Sequence, residues 1–331
     1  MRVKLDINKA AALGWLLSVY DFPINYYCNE LFYPVSSYDD ENILNYFLFM
    51  VLMDYNFPDS HFYGYIDDVY YSGSLLFWRL GKIRFDDNPE FFSLDSIASL
   101  KVDEFRSMFS IGRIYGVDLL NLNLRVQILR EVANKILKDY NGSFYNLIDA
   151  SSNYLYCNGS GFIERLSKFR GFNDPVEYKS LLLAKILFRR GFLSLNDIDN
   201  FHVPVESKIL VFSLRFGLIY LDDEFMDRFL SGLITLSEDY ALRIRIREGL
   251  DFTSKISKKD SMLLHDFLDM FTSHCCKFSH PKCVYKCDEK CSLSLFFKCD
   301  SNCLLRGLCR FCGTDLVNRI HKPAIPDSIY Y

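Results

Sequence analysis

Apolar residues recur at three- and four-residue spacing along most of the chain, and this spacing predicts a mainly helical protein. Residues 123–142 show it well, because their apolar side chains fall on one helix face: Val126, Leu129, Val132, Ala133, Ile136 and Leu137. Asn141 and Gly142 directly after this stretch predict its end, since both residue types accept a left-handed backbone. Residues 5–20 and 41–54 also predict helices.

Residues 174–191 carry the most complete set of helix start and stop signals. Asp174 predicts an N-cap, Pro175 suits the first helical position, and Glu177 would complete a capping box. Gly191 predicts the end of the helix. Further helices are predicted at 160–169, 206–216, 223–236, 238–256 and 260–274.

Residues 62–73 read differently, because Tyr and Val flank an Asp67-Asp68 pair. This pattern predicts a small β-hairpin. We therefore expect a mainly α fold with a small β element near residues 62–73 and a metal-stabilised C-terminal loop. The predicted organisation is one helical domain over 1–274, with the Cys-rich segment and tail, 275–331, packed on it.

Composition narrows the classes of partner. Half of the 331 residues are hydrophobic and the formal net charge is −4, so the surface as a whole is not that of a polyanion binder. A nucleic-acid partner would need a local basic patch and is not favoured. We find neither a signal peptide nor a membrane-spanning stretch, and therefore expect a cytoplasmic protein without a membrane partner. The oligomeric state does not follow from the sequence.

The segment HVPVESKILVFSLRFG, residues 202–217, places Glu206 at the start of an apolar helix. In one interpretation this carboxylate simply stabilises the helix N-terminus. In the other, a fixed and partly shielded negative charge stabilises the sugar cation that forms when an N-glycosidic bond breaks. The same carboxylate could orient the attacking water or take its proton.

Several segments in a shared order resemble one family, the queuosine salvage proteins, which are queuosine 5′-phosphate N-glycosidases. The resemblance covers roughly residues 40–274 and the final residues 329–331. The segments that carry it are YNFPDS (55–60), YYSGSLLFW (70–78), ILREVANKILKDYNGSFYNLI (128–148) and FRGFNDPVEYKSLLLAKIL (169–187).

The resemblance implies that Glu206 occupies the position of the catalytic carboxylate. The family carries Phe-Ala-Asp-Tyr-Arg-x-Pro-Gln, with its Asp eleven residues before a Gly, and Glu206 stands eleven residues before Gly217. This chain has Glu in place of Asp, and it lacks the Tyr-Arg-x-Pro-Gln part. One extra methylene displaces the charge by more than about 1 Å, a change that can cost about a hundredfold in rate unless the backbone compensates.

The remaining substrate residues also follow from the resemblance. Lys179 is expected near the phosphate of a small-molecule nucleotide, and Asp266 is expected to bind the base or sugar, with Asp269 as the alternative in another register. The aromatic residues expected along the 7-deazaguanine base are Phe57, Tyr71 and Phe172, and Asn56 is a further expected substrate-binding residue. Taken alone, such aromatic residues are more often part of a core.

The fold implied by the resemblance is all-helical and related to the helix–hairpin–helix DNA glycosylases. Those enzymes also place an acid about eleven residues before a Gly, so a DNA-base glycosylase is the alternative function. They hold a DNA phosphate with a Gly-rich Leu-Pro-Gly-x-Gly hairpin. Upstream of Glu206 this chain has only FRGFNDP (169–175), which favours a small-molecule nucleotide.

Nine of the eleven cysteines fall between residues 275 and 312, and their spacing predicts metal binding rather than disulfides. The spacing is Cys276-x6-Cys283-x3-Cys287-x3-Cys291, followed by Cys299-x3-Cys303-x5-Cys309-x2-Cys312. Two sets of four thiolates would suit two tetrahedral sites, or one site and an iron–sulfur cluster. Zinc and iron–sulfur both remain open, and the expected role is structural. The resembling family lacks this segment.

Overall fold

The computed structural model describes residues 3–57, 61–285, 292–297, 302–323, 325 and 328–330. About 55% of the structure is helical and 5% is strand, so the prediction of a mainly α fold with a small β element is confirmed. Among the described residues no helix combines the length and the apolar composition that crossing a bilayer requires.

The α-helices are α1 (Ile7–Ser18), α2 (Asp40–Met53), α3 (Gly73–Asp87), α4 (Leu94–Ser99), α5 (Val102–Ser107), α6 (Leu122–Asp139), α7 (Phe144–Asp149), α8 (Phe162–Leu166), α9 (Tyr178–Arg189), α10 (Ser207–Phe216), α11 (Asp223–Leu230), α12 (Leu236–Ser257), α13 (Ser261–His274) and α14 (Asp315–Arg319). The strands are β1 (Val3–Leu5), β2 (Tyr63–Ile66), β3 (Val69–Ser72), β4 (Arg113–Tyr115) and β5 (Ile219–Leu221). Short 3-10 helices cover Pro89–Phe92, Met108–Ser110, Val117–Leu120, Ile198–Asn200 and Ser292–Leu295.

The chain divides into two compact units. Unit 1 comprises Met1–Ile24 and Phe201–Ser328, and unit 2 comprises Asn25–Asn200 and Ile329–Tyr331. The predicted organisation, one helical domain over 1–274 with 275–331 packed on it, stays a prediction. Part of the Cys-rich segment lies in unit 1 because its apolar side chains, such as Leu305 and Ile320, are buried in that unit's core.

Unit 1 is built around a helical core. Helix α1 packs along α12, and α10 packs against both α12 and α13. Gly14 of α1 allows the first contact to be close, because a Cβ there would lie 2.7 Å from the side chain of Ile256. Strand β1 pairs antiparallel with β5, Val3 facing Leu221, which ties the N-terminal residues to the chain beyond α10.

Unit 2 surrounds α2, whose residues from Ile43 to Met53 are all buried. Helices α6, α7 and α9 pack on it. Strands β2 and β3 form the predicted hairpin, and Asp67 and Asp68 in its turn both have positive φ angles, 51° and 60°. A third strand, β4, which the sequence did not predict, pairs with β2.

The predicted helix start at Asp174 is wrong, and α9 begins at Tyr178. The Asp174 carboxylate instead accepts hydrogen bonds from the backbone N–H groups of Val176 and Tyr178, at 2.6 and 2.8 Å. Glu177 is left-handed, with φ 57°, and makes no capping box. The Asp-Pro turn therefore closes on itself before the helix starts. The predicted end at Gly191 is confirmed by its φ of 80°.

Candidate functional site

Glu206 is the N-cap residue of α10, but its carboxylate does not cap the helix. Its backbone is extended, with φ −80° and ψ 175°, and its carbonyl accepts the first helical bond from Leu210. No capping hydrogen bond from its side chain is present. The segment is fixed by burial on both sides, since Val205 and Ile209 are completely buried. The helix therefore places this carboxylate without using it as a cap.

Lys208 holds the Glu206 carboxylate together with a second carboxylate, that of Asp269 on α13. The Lys208 ammonium lies 3.4 Å from Glu206 Oε1 and 2.9 Å from Asp269 Oδ1. It also lies 3.3 Å from Ser273 Oγ. The Glu206 side chain is 19% exposed, so its charge is partly shielded from solvent. A single ammonium thus joins two acids at the start of α10.

The charge of this cluster is set by Lys208. Burial acts to lower the pKa of Lys208, but the carboxylates of Asp269 and Glu206 outweigh burial and hold that pKa above its usual range. Lys208 is therefore an ammonium at neutral pH. Two carboxylates, those of Glu206 and Asp269, share this one ammonium, an arrangement that suits stabilisation of a cation.

A buried ion pair contacts the residues on both sides of Glu206. Arg243 of α12 pairs with Asp239 one turn earlier, at 2.7 Å, and both side chains are almost completely buried. Arg243 also donates to the carbonyl oxygen of Val205 at 2.7 Å and to the Ser207 hydroxyl at 3.4 Å. Sequence reasoning missed Arg243 and Lys208. The four-residue spacing of Asp239 and Arg243 on one helix was a signal that could have found the pair.

The two candidate acids on α13 have different environments. Asp269 is 41% exposed and bonds to Lys208, whereas Asp266 is buried. The ammonium of Lys208 therefore links Glu206 to Asp269. The substrate role expected of Asp266 stays a prediction from the resemblance.

Lys179 belongs to unit 2 and is completely buried. Its ammonium donates to the carbonyl oxygens of Leu52 and Ile329, at 2.6 and 2.7 Å, and lies over the ring of Tyr55. Burial, followed by the positive charge of Arg125, holds the pKa of Lys179 well below its usual range. This lysine anchors the chain end to α2, and its phosphate role stays a prediction.

The residues expected along the base also lie in unit 2, where most of them are packed among other side chains. Phe57 is buried and stacks on Phe62, and Arg125 lies over its ring. Phe172 is buried, and Tyr71 is half-buried with its ring nearly perpendicular to that of Phe32. Asn56 has a positive φ of 51°. Contact with the substrate stays a prediction for all four: Asn56, Phe57, Tyr71 and Phe172.

The cysteines of the C-terminal segment that the structure describes lie in unit 1. Cys276, Cys283, Cys303 and Cys309 line one small cavity together with Cys275, and Cys312 hydrogen-bonds with Cys283. Glu206 is not among the residues lining that cavity. Within the described ranges, no group of three or more Cys, His, Asp or Glu side chains is already in position to hold a metal ion. The predicted ligands Cys287, Cys291 and Cys299 lie outside the described residues.

No protein-family model matches the chain, and no curated protein matches it significantly.

Proposed function

We propose that this protein is a cytoplasmic N-glycosidase that hydrolyses a modified 7-deazaguanine nucleotide, of the queuosine 5′-phosphate kind. Water adds to the anomeric carbon, the bond from that carbon to the base nitrogen breaks, and the base leaves with a proton. The products are the free base, which tRNA modification can reuse, and ribose 5-phosphate.

One observation supports this proposal above the others. The Glu206 carboxylate stands at the start of a buried helix, makes no capping bond, and is held by Lys208 beside Asp269. A carboxylate that served only the helix N-terminus would bond to the helix amides. A carboxylate held apart from them, partly shielded and ionised, suits the charge that develops on the sugar ring.

In this proposal Glu206 stabilises the sugar cation and positions the attacking water, and Lys208 keeps the carboxylate in place. Asp269 shares the ammonium and so limits how strongly Lys208 neutralises Glu206. Arg243 acts through the Val205 carbonyl and the Ser207 hydroxyl, and it is a positioning residue.

The test is to incubate the purified protein with queuosine 5′-phosphate and to measure free queuine by mass spectrometry. We expect release by the wild type and a loss of about 10²–10³-fold in Glu206→Gln, because the fixed charge is removed. Glu206→Asp retracts the charge by more than about 1 Å and should lose about a hundredfold. Glu224→Gln, an exposed acid in the same unit, is the matched control and should leave the rate unchanged.

Three outcomes would count against the proposal. The first is the absence of queuine release by the wild type, even where the nucleotide binds tightly, which would indicate a binding module. The second is undiminished release by Glu206→Gln. The third is excision of a base from a damaged DNA duplex with no activity on the nucleotide, which would indicate the DNA-glycosylase alternative.

A further inference from the structure

Five thiols from two parts of the chain lie together at the far end of α10. Cys276 and Cys283 follow α13, while Cys303, Cys309 and Cys312 come from the segment before α14. Cys303 has Cys276, Cys283 and Cys312 as neighbours. The same three thiols are also neighbours of Cys309.

This grouping differs from the one that sequence spacing predicted. The prediction placed Cys276 and Cys283 in one set of four and Cys303, Cys309 and Cys312 in another. The structure brings members of both predicted sets around one cavity. Spacing alone cannot reveal this, because the two segments meet only through the fold of unit 1.

The cavity has room for one small ion. Its volume is about 20 Å³, enough for about one water-sized occupant. Apolar side chains complete its wall, notably Phe212, Phe271 and Val317. A lone water would find few polar partners in such a wall, whereas a soft metal ion would find several sulfur ligands.

A buried cation faces the same cavity. Arg215 of α10 is 1% exposed, lines the cavity, and has its Nη1 atom 3.7 Å from Cys276 Sγ. Its other partners in the described part of the chain are carbonyl oxygens, those of Lys277, Phe278 and Ile320 among them, and its Nε is buried without a hydrogen-bond partner there. A buried guanidinium needs a compensating negative charge. Four thiolates on a divalent metal carry a net charge of −2 and would supply it.

Two backbone N–H groups already point at the thiols. Leu305 donates to the sulfur of Cys303, and Phe311 donates to the sulfur of Cys309. Such donors stabilise thiolate over thiol and orient a ligating sulfur. Cys276, Cys283, Cys303 and Cys309 line the cavity, and Cys312 lies beside it through its hydrogen bond with Cys283. These described thiols are not yet in position to hold an ion, and a change of χ1 rotamer is the motion that would bring them onto a common ion.

We propose that this cluster binds one zinc ion through four of the five thiolates of Cys276, Cys283, Cys303, Cys309 and Cys312, with Arg215 as the neighbouring counter-charge. The ion would lock the 303–312 segment onto the end of α10. That segment already completes the helix, since Arg310 N–H donates to the Phe216 carbonyl and Phe311 N–H to the Arg215 carbonyl. The metal would therefore stabilise the end of the helix that begins at Glu206.

The experiment measures metal in the full-length protein and in its variants. We expect the wild type to hold one zinc per chain. Each of the five cysteines is changed singly to Ser: four of these variants should lose the zinc, and the fifth should keep it. Cys275→Ser is the matched control. Cys275 lines the same cavity, but it is not among the thiols that neighbour Cys303 and Cys309. Cys28→Ser and Cys157→Ser in unit 2 should also keep the full zinc content.

Cobalt substitution gives a second reading that does not depend on any variant. After removal of zinc by a chelator, Co²⁺ should give the intense visible bands of a tetrahedral, thiolate-rich site. If Cys309 is one of the four ligands, Cys309→His retains a ligand atom and should keep the ion with a changed Co²⁺ spectrum, even where Cys309→Ser fails to fold. Retention of all zinc by the five single Ser variants, absence of Zn²⁺ and Co²⁺ binding by wild type, or iron with acid-labile sulfide would overturn the proposal.

Discussion

The guanidinium of Arg243 donates to the carbonyl oxygen of Val205 across 2.7 Å, one residue before Glu206. The same guanidinium pairs with Asp239 in the interior of unit 1. The backbone that carries the candidate catalytic carboxylate is therefore fixed by a charge that never reaches solvent. The Arg243 side chain therefore both stabilises unit 1 and positions Glu206, and variants can separate these two roles.

Arg243→Met should destabilise the protein by about 3–5 kcal/mol, because it leaves the Asp239 charge buried without its partner. The double variant Asp239→Leu, Arg243→Met should recover most of that loss, since it removes both charges. Neither variant keeps the bond to Val205. We therefore expect low queuine release from both, with kcat affected more than KM. Urea denaturation together with the release assay checks this, and wild-type activity in the double variant would show that Arg243 does not position Glu206.

The local signals in the sequence predicted local structure well. Asp67-Asp68 predicted a hairpin turn because short acidic side chains accept the positive φ angles that such a turn needs. Asn141 and Gly142 predicted the end of α6 for the same reason, and both have positive φ. The prediction of where α9 starts was wrong, because the Asp174 carboxylate can accept hydrogen bonds from two amides by closing a turn as easily as by capping a helix.

The rest depends on contacts between distant residues. Lys208 looks like a solvated lysine in sequence, because its partner Asp269 stands on another helix. The division into two units could not be predicted from the sequence either. Unit 1 joins residues that are far apart along the chain, since Val3 pairs with Leu221. The cysteine spacing indicated the ligand type but not which cysteines meet, since that is decided by how the 303–312 segment packs on α10.

Lys208→Met should lower the free energy of unfolding, and the size of this loss should decrease at alkaline pH. The carboxylates of Asp269 and Glu206 hold the pKa of Lys208 above its usual range, although burial opposes them. A raised lysine pKa contributes stability that is complete below the unfolded value of about 10.4 and is lost as the pH rises above it. The difference in unfolding free energy between wild type and Lys208→Met should be constant from neutral pH to about 10 and then shrink. A difference that grows above pH 10.4 would contradict the ion-pair geometry.

Glu238→Gln should change the pH dependence of stability in the acid range instead of the alkaline range. The Arg228 guanidinium, followed by the backbone N–H of Thr235, lowers the pKa of Glu238 to about 2. A depressed carboxyl pKa contributes stability that is present above the unfolded value and lost as the pH falls through the folded one. Wild type should therefore exceed Glu238→Gln in stability at pH 7, and the gap should close between about pH 4.5 and pH 2. Denaturation midpoints of both proteins across that range are the measurement, and a gap that stays constant in acid would refute the assignment.

Gly217→Ala should destabilise unit 1 at the end of α10. Gly217 has a φ of 87°, which costs an alanine about 1–2 kcal/mol, and its new Cβ would lie 2.9 Å from the Arg310 side chain. Gly232→Ala is the matched control, because its φ is also positive, at 70°, but nothing lies within 4 Å of the new Cβ. The excess loss in Gly217→Ala isolates the contact with the Cys-rich segment. Equal losses of stability in the two variants would show that the Arg310 side chain moves away from the new Cβ at no cost in free energy.

Lys179→Met should release the C-terminal residues of unit 2. The Lys179 ammonium bonds to the carbonyls of Leu52 and Ile329, and methionine leaves both oxygens without this donor. Tyr330 is held separately, because its hydroxyl donates to Asn173 Oδ1 at 3.1 Å. We expect carboxypeptidase to remove the last residues faster from Lys179→Met than from wild type, with Tyr330→Phe showing a smaller increase because it loses only one surface bond. The same samples test the predicted phosphate role, which requires that an anion reach this completely buried side chain. Inorganic phosphate that protects the wild-type tail, and not the Lys179→Met tail, would support that role, while equal protection of both would place phosphate elsewhere.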